Sequence, residues 1–325
     1  MATIRDVAKS AGVGIGTVSR ALSGNGYVDA EKKARIKQIA EELNYKPNYM
    51  ARRMTKKKSG IVGVVLTDVA TPFLGTFLRY TEMELGAIGY RTIIINTLGV
   101  QGRVSEALDL VDSGVLDGII INADVTEEEI SRLKKMPAVS LECQLGDEIP
   151  MVASDHIHGG EIAARTLWDN GCKNVLILGI KSVTPVYAAC RLEVCKNILL
   201  EKGARVTVAE SVGENFSYHF VEEMISKYLD IYNQIDGIFT EDVEAYCCVA
   251  QAAKRGIRVP RDLKIVGYDG NEITRMISPQ VTTIRQNLPM LARISVDVLE
   301  KRIEGEETES RYLVPVQLEK GGTTM

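Results

Sequence analysis

Arg20 is the residue of the N-terminal segment best fitted to read a base, because a guanidinium presents a rigid fork of donors that can bond O6 and N7 of one guanine together. Ahead of it stand Ile15 and Gly16. Ile15 can meet a thymine methyl, and position 16 offers no side chain to a base edge. Thr3, Thr17, Ser19, Asn25, Tyr27 and Tyr45 add hydroxyl and amide donors of the kind that grip phosphate oxygens, fixing register without reading sequence. A base reader flanked by phosphate donors is chemistry for double-stranded DNA.

Such side chains reach a groove only if an element carries them. Thr3 with Asp6 forms a capping box and predicts a helix from about Ile4, whose Ile4, Val7, Ala8 and Ala11 recur at helical spacing. Gly12 ends it, and a second short helix carries Thr17, Val18, Ala21 and Leu22. Two short helices split by a glycine turn form a helix-turn-helix, whose second helix enters the major groove. Val18 and Leu22 are core residues with no readout role. Asp29 caps a third helix, with Ile36, Ile39, Ala40 and Leu43 closing the core. Charge agrees: residues 1–60 hold 13 Lys and Arg against 5 Asp and Glu, which leaves 26 against 38 for the rest of a chain of net charge −4. A basic head on an acidic body points to a polyanion partner for the head alone.

Lys56-Lys57-Lys58-Ser59-Gly60 reads as a basic, turn-prone linker, so the expected division is a DNA-binding domain over 1–46, a hinge and linker over 47–60, and a body over 61–325. In the body, apolar runs at 61–66, 92–95, 118–121, 138–141, 174–178, 206–209, 236–239 and 263–266 suit buried parallel strands. Amphipathic stretches at 73–88, 103–111, 126–135, 161–170, 191–200, 218–232 and 242–255 separate them, and Gly89, Gly171, Gly203 and Gly256 stand where helix C-caps belong. Repeated strand-helix-strand units require an α/β fold with parallel sheets covered on both faces. They are too many for one sheet of ordinary width, and an eight-fold closed barrel is the competing topology.

No apolar run approaches the ~18 residues of a membrane span, so no membrane partner is expected. The N-terminus opens as an amphipathic helix start, which makes the cytoplasm the expected compartment. Six cysteines without a Cys-x-x-Cys pair suit reduced, partly buried thiols. His156 and His158 have no third ligand near in sequence, so no metal is expected. No Gly-x-Gly-x-x-Gly follows the first strand, no phosphate loop occurs, and no nucleophile–base pair is evident, which argues against an enzyme and against a cofactor.

The run Thr3-Ile4-Arg5-Asp6-Val7-Ala8, then Thr17-Val18-Ser19-Arg20, Leu43-Asn44-Tyr45-Lys46-Pro47-Asn48 and Ala51-Arg52 resembles the LacI/GalR family of bacterial transcription regulators, and the likeness continues to the C-terminus. The resemblance implies a hinge helix from Pro47 to Met54, with Asn48 and Ala51 at the DNA and Met54 as an apolar wedge in the minor groove, where the family normally has Leu. It implies a body of two similar lobes with parallel sheets, as in periplasmic sugar-binding proteins, with crossovers near 155–160, 285–290 and 315. Carried over residue by residue, it nominates Phe73, Leu74, Glu142, Arg191, Phe216, Glu241, Asp242 and Asp269 for a small-molecule effector, with Arg191 and Asp269 as a facing pair. The family commonly has Asp at the place of Glu142, Asn at those of His156 and Glu241, and Asp or Asn at that of Gly270, a change expected to loosen that loop. Asp155 is expected to be structural or at the rim. The function implied is a homodimeric, ligand-responsive repressor of a palindromic operator, controlled by a sugar or nucleoside. The alternatives are a solute-binding protein and a corepressor-dependent regulator with a phosphorylated effector.

Overall fold

Short helices with strong end signals build the N-terminal unit. A computed structural model describes residues 2–23, 26–45, 58–180, 187–211, 218–231 and 234–325, in two units, Met1–Ser59 and Gly60–Met325. Helix α1 (Ile4–Ala11) begins in a capping box, the Asp6 carboxylate accepting from the Thr3 backbone N–H and hydroxyl, both at 2.8 Å. Gly12 closes it at φ 68°, a left-handed conformation that a side chain resists. Helix α2 (Ile15–Ser23) follows, then α3 (Ala30–Glu42), capped by the Asp29 carboxylate accepting from the Lys32 N–H at 3.2 Å. Val7, Ala8, Ala11, Val18, Ala21, Ile36 and Ala40 are its buried core, with Ile4, Leu22, Ile39 and Tyr45 packed against them. Leu43, expected in that core, is exposed instead, because it is the C-cap of α3 and the backbone turns left-handed at Asn44 (φ 50°) directly after.

The body alternates strand and helix: β1 (Ile61–Leu66), α4 (Pro72–Ala87), β2 (Arg91–Asn96), α5 (Arg103–Asp112), β3 (Gly118–Asn122), α6 (Glu127–Leu133), β4 (Ala138–Leu141) and β5 (Met151–Ser154). It continues through α7 (His156–Asp169), β6 (Asn174–Ile180), α8 (Cys190–Glu201), β7 (Arg205–Ser211), α9 (Tyr218–Ile231), β8 (Gly237–Phe239), α10 (Asp242–Lys254) and β9 (Lys264–Asp269). Last come β10 (Thr282–Arg285), α11 (Leu288–Glu304), β11 (Arg311–Val314) and β12 (Gln317–Glu319). The strands sort into two six-stranded sheets, in the orders β11-β5-β4-β3-β1-β2 and β12-β10-β9-β8-β6-β7, and the barrel alternative falls. The pairings are parallel throughout, Val62 facing Gly118 and Thr282 facing Val266, except that β12 runs antiparallel to β10.

Each sheet is packed on both faces, which makes each half a lobe with its own core. In the first lobe Phe77, Leu85, Leu291 and Leu299 bury one face while Leu108 and Leu133 bury the other. In the second, Ile225 and Cys248 lie on one side, and Ala163, Leu167 and Leu199 on the other. The chain passes between sheets at Asp155, at 286–287 and at 315–316.

Helix α7 starts at His156, ahead of the expected Glu161, because Gly159 and Gly160 dilute its helical pattern. Both glycines are required. A Cβ at 159 would land on the Tyr268 hydroxyl, and one at 160 would meet the Arg191 carbonyl and come within 2.9 Å of Val194 Cβ. Helix α11 was not anticipated, although Asn287, Pro289 and Gly305 signal both its ends.

Candidate functional site

Along α2, Ile15, Gly16 and Arg20 are exposed, and Ile15 shows 46% of its surface. Arg20 Nε donates to the Gly16 carbonyl at 3.2 Å, which leans the side chain back one turn along its helix. Thr17 and Ser19 are half-buried and Tyr27 stands exposed. Two expected phosphate donors also make contacts within the head. The Thr3 hydroxyl donates to Asp6 in the cap, and Tyr45 packs against the head's core. Asn25, Asn48, Ala51, Met54 and Phe216 lie outside the described residues. With Arg20 the strongest base reader on this face, Arg20→Ala should cost roughly 1–3 kcal/mol and relax discrimination at one position of each half-site. Replacing Lys56, Lys57 and Lys58 should instead weaken all duplexes alike and flatten the salt dependence. Titrations of duplex variants at fixed salt check both. Unchanged discrimination in Arg20→Ala would move readout to the backbone or to DNA shape.

The second group of residues gathers where the lobes meet. At the C-terminal ends of β4 and β9, one strand from each lobe, Glu142 (φ 62°) and Asp269 (φ 107°) hold left-handed backbones, a strain of about 1–3 kcal/mol each that surrounding bonds must maintain. The Glu142 carboxylate accepts from the Ser154 N–H at 3.0 Å and from His156 Nε2. His156 Nδ1 lies 2.8 Å from the Tyr268 hydroxyl, and the Arg191 guanidinium lies over the Tyr268 ring at 4.2 Å. This carboxylate–imidazole–hydroxyl order is the layout of an acid–base relay, but His156 and Tyr268 are both fully buried and both imidazole nitrogens are occupied. Asp269 accepts from Gln286 Nε2 at 2.7 Å and from Asn271 Nδ2 at 3.3 Å.

Arg191, Glu142, Glu241 and Asp269 thus come together around Tyr268, though not in the expected pairing. Arg191 pairs directly with Glu241, while Asp269 is held by two amides. Burial works against the Arg191 charge, and the nearby Glu241 and Asp269 carboxylates more than offset it, holding its pKa above the ordinary arginine value. Asp242 is fully buried and spends both oxygens on protein, accepting from the Thr283 hydroxyl and the Asn271 N–H, each at 2.6 Å, so it anchors loops rather than presenting acceptors. Leu74 is buried in the first lobe's core and Phe73 packs against that core. Gly270 is required where it stands, since at φ 73° a Cβ would fall 2.8 Å from the Arg285 Cα. Asp155 caps α7, accepting from the His158 N–H at 3.0 Å. Sequence reading missed Tyr268, Ser154 and Gln286. Tyr268 reads as strand core, and a serine or glutamine carries no signal until its partners are known.

Burial raises three carboxyls here. Asp269 is pushed well above the ordinary range, Asp242 up to about 7, and Glu244, with Glu241 beside it, up to about 8. Each holds its proton more tightly folded than unfolded. From about pH 4 to about pH 8 the folded chain therefore carries more protons, and stability falls as pH rises through that window. The thermal midpoint should decline from about pH 5.5 to about pH 8, and Glu244→Gln should flatten the decline. A wild-type midpoint that climbs across this range would contradict the assignment. The cysteines are free thiols, and burial raises Cys143 and Cys172 to about 12.

Comparison with known proteins adds identity to this geometry. Residues 3–48 match the bacterial regulatory proteins of the lacI family, and residues 164–324 match the periplasmic binding protein-like domain. The ribose operon repressor of Halalkalibacterium halodurans is 33% identical over 100% of this chain and 97% of its own length. The sucrose operon repressor of Streptococcus mutans is 30% identical over 99% of each chain. A crystal structure of the Lac repressor bound to ONPG in the repressed state superposes with a TM-score of 0.86 at 23% identity, covering 99% of both chains.

Proposed function

Because this chain belongs to the lacI family of bacterial regulatory proteins and is a ligand-responsive transcriptional repressor, we propose that its effector is a neutral polyhydroxylated molecule, a sugar or nucleoside, bound where the two lobes meet. The observation that carries the proposal is the set of groups around Tyr268: the Arg191 guanidinium, already paired with Glu241, beside the Asp269 carboxyl, with Glu142 spent on Ser154 and His156 behind them. Hydroxyls both donate and accept, so they suit such a set, whereas a phosphate would find the one guanidinium already paired with Glu241. Its likeness to repressors of ribose and sucrose operons supports a sugar.

The regulator acts on a palindromic operator as a homodimer, with effector state deciding whether two hinge segments can pair. Exposed Met83, Ile88, Ile94, Leu98 and Val100, at and around edge strand β2, support pairing with a second copy. Effector binding needs a differential affinity for the two states of about 1–3 kcal/mol to switch it. Calorimetry against neutral sugars, nucleosides and their phosphates, followed by gel shifts with the DNA upstream of its own gene, tests this reading. Tight binding of a phosphorylated compound alone would overturn the neutral-effector proposal.

A further inference from the structure

Two runs of hydrogen bonds, joined through the backbone at 268–269 and through Ser154, cross the junction of the lobes. The Ser154 hydroxyl donates to Gln286 Oε1 at 2.5 Å, and Gln286 Nε2 donates to Asp269 Oδ1 at 2.7 Å. Asp269 follows Tyr268 in β9, and the Tyr268 hydroxyl meets His156 Nδ1 at 2.8 Å. His156 Nε2 donates to Glu142, whose other oxygen accepts from the Ser154 N–H at 3.0 Å, so the second run ends on the residue where the first began. Glu142 and Ser154 belong to the first lobe and Tyr268 and Asp269 to the second. His156 and Gln286 stand at two of the crossovers, and every member is buried.

Proton counting orients these bonds, which end on the two carboxyls of Glu142 and Asp269. A carboxylate only accepts, so Nε2 of His156 carries a proton toward Glu142, and Nδ1 faces the Tyr268 hydroxyl. The Gln286 amide is oriented at both ends, its oxygen toward a hydroxyl and its nitrogen toward a carboxylate. A flipped amide would strand a buried donor and a buried acceptor together. Glu142 and His156, two of the departures from the family pattern, are bonded to each other.

We propose that this circuit sets the relative orientation of the lobes, and that His156 and Gln286 are positioning residues which, through Tyr268 and Asp269, hold Arg191 and the Asp269 carboxylate in place. Its consequence for the effector rests on the reading of the cleft given above. A ligand hydroxyl that takes Asp269 from Gln286 opens the circuit at one junction and releases the lobes from that orientation.

The test needs no ligand. His156→Gln, Gln286→Met and the double variant of the full-length chain are unfolded in urea, and the imidazole N–H signals are followed by nitrogen-15 NMR. His156 and Gln286 share no hydrogen bond, so independent roles predict that their losses in folding equilibrium constant multiply. The circuit predicts a double variant no worse, within about two-fold, than the weaker single one. It also predicts that Gln286→Met shifts or broadens the His156 Nε2–H signal. Multiplying losses overturn the proposal, and so does an imidazole signal unmoved by Gln286→Met. Ser154→Ala removes only the hydroxyl that bonds Gln286, away from the imidazole, and gives the same spectral reading should either first variant fail to fold. Failure of the cleft reading is seen separately, as absence of heat when the wild-type chain is titrated with the sugar and nucleoside panel.

Discussion

Asp269→Asn should give a repressor that binds its operator and ignores its effector. The replacement is nearly isosteric, and Asn tolerates the positive φ of 107° that position 269 imposes. Its carbonyl can still accept from Gln286 Nε2, a bond of 2.7 Å in the native chain, so the lobes should keep their places. On the effector reading proposed above, what disappears is the carboxyl group offered to the ligand's hydroxyls beside Arg191. That loss should weaken the effector by about 2–4 kcal/mol, enough to leave repression constitutive at ordinary ligand concentrations. Calorimetry of the full chain, paired with operator titrations with and without effector, measures both halves of the expectation. A normal effector response in Asp269→Asn would remove Asp269 from the site.

Met54→Asp should abolish specific operator binding while leaving effector affinity within a few-fold. Met54 lies outside the described residues, and the expectation comes from the hinge that the sequence implies. An unbranched apolar side chain can be pressed between base steps, whereas a carboxylate there must shed its water and face the phosphates on both strands. Met54→Leu should preserve or tighten binding, because it restores the stiffer wedge of the family. A Met54→Asp protein that still bound and bent its operator normally would show that the hinge does not wedge through this residue.

Much of the head was legible because its signals are short-range. The Thr3–Asp6 box, the left-handed Gly12 and the Asp29 cap each act within a few residues, and they bound the helices where they were expected. Strands buried on both faces were legible for a related reason. They read as continuous apolar runs, and β1 and β4 fall on 61–66 and 138–141 as expected. Short strands such as β10, with its Thr-Thr-Ile-Arg, gain their identity only from the strands beside them.

The candidate site divides the same way. Sequence named the charged residues that come together around Tyr268, Arg191, Glu142, Glu241 and Asp269. It could not say which carboxylates would be spent on the protein itself. Asp242 is consumed by Thr283 and Asn271, Arg191 by Glu241, and Glu142 by a histidine that had looked like a simple departure from the family. Whether the parallel strands closed into a barrel or parted into two sheets was also beyond local reading. Strand pairing and buried hydrogen bonds join residues a hundred or more positions apart, as Ser154 joins Gln286 and His156 joins Tyr268. The amino-acid sequence determined which elements form and which chemical groups they carry. Only tertiary packing decided their partners, because a buried polar group must be satisfied by whatever the fold brings within about 3 Å of it.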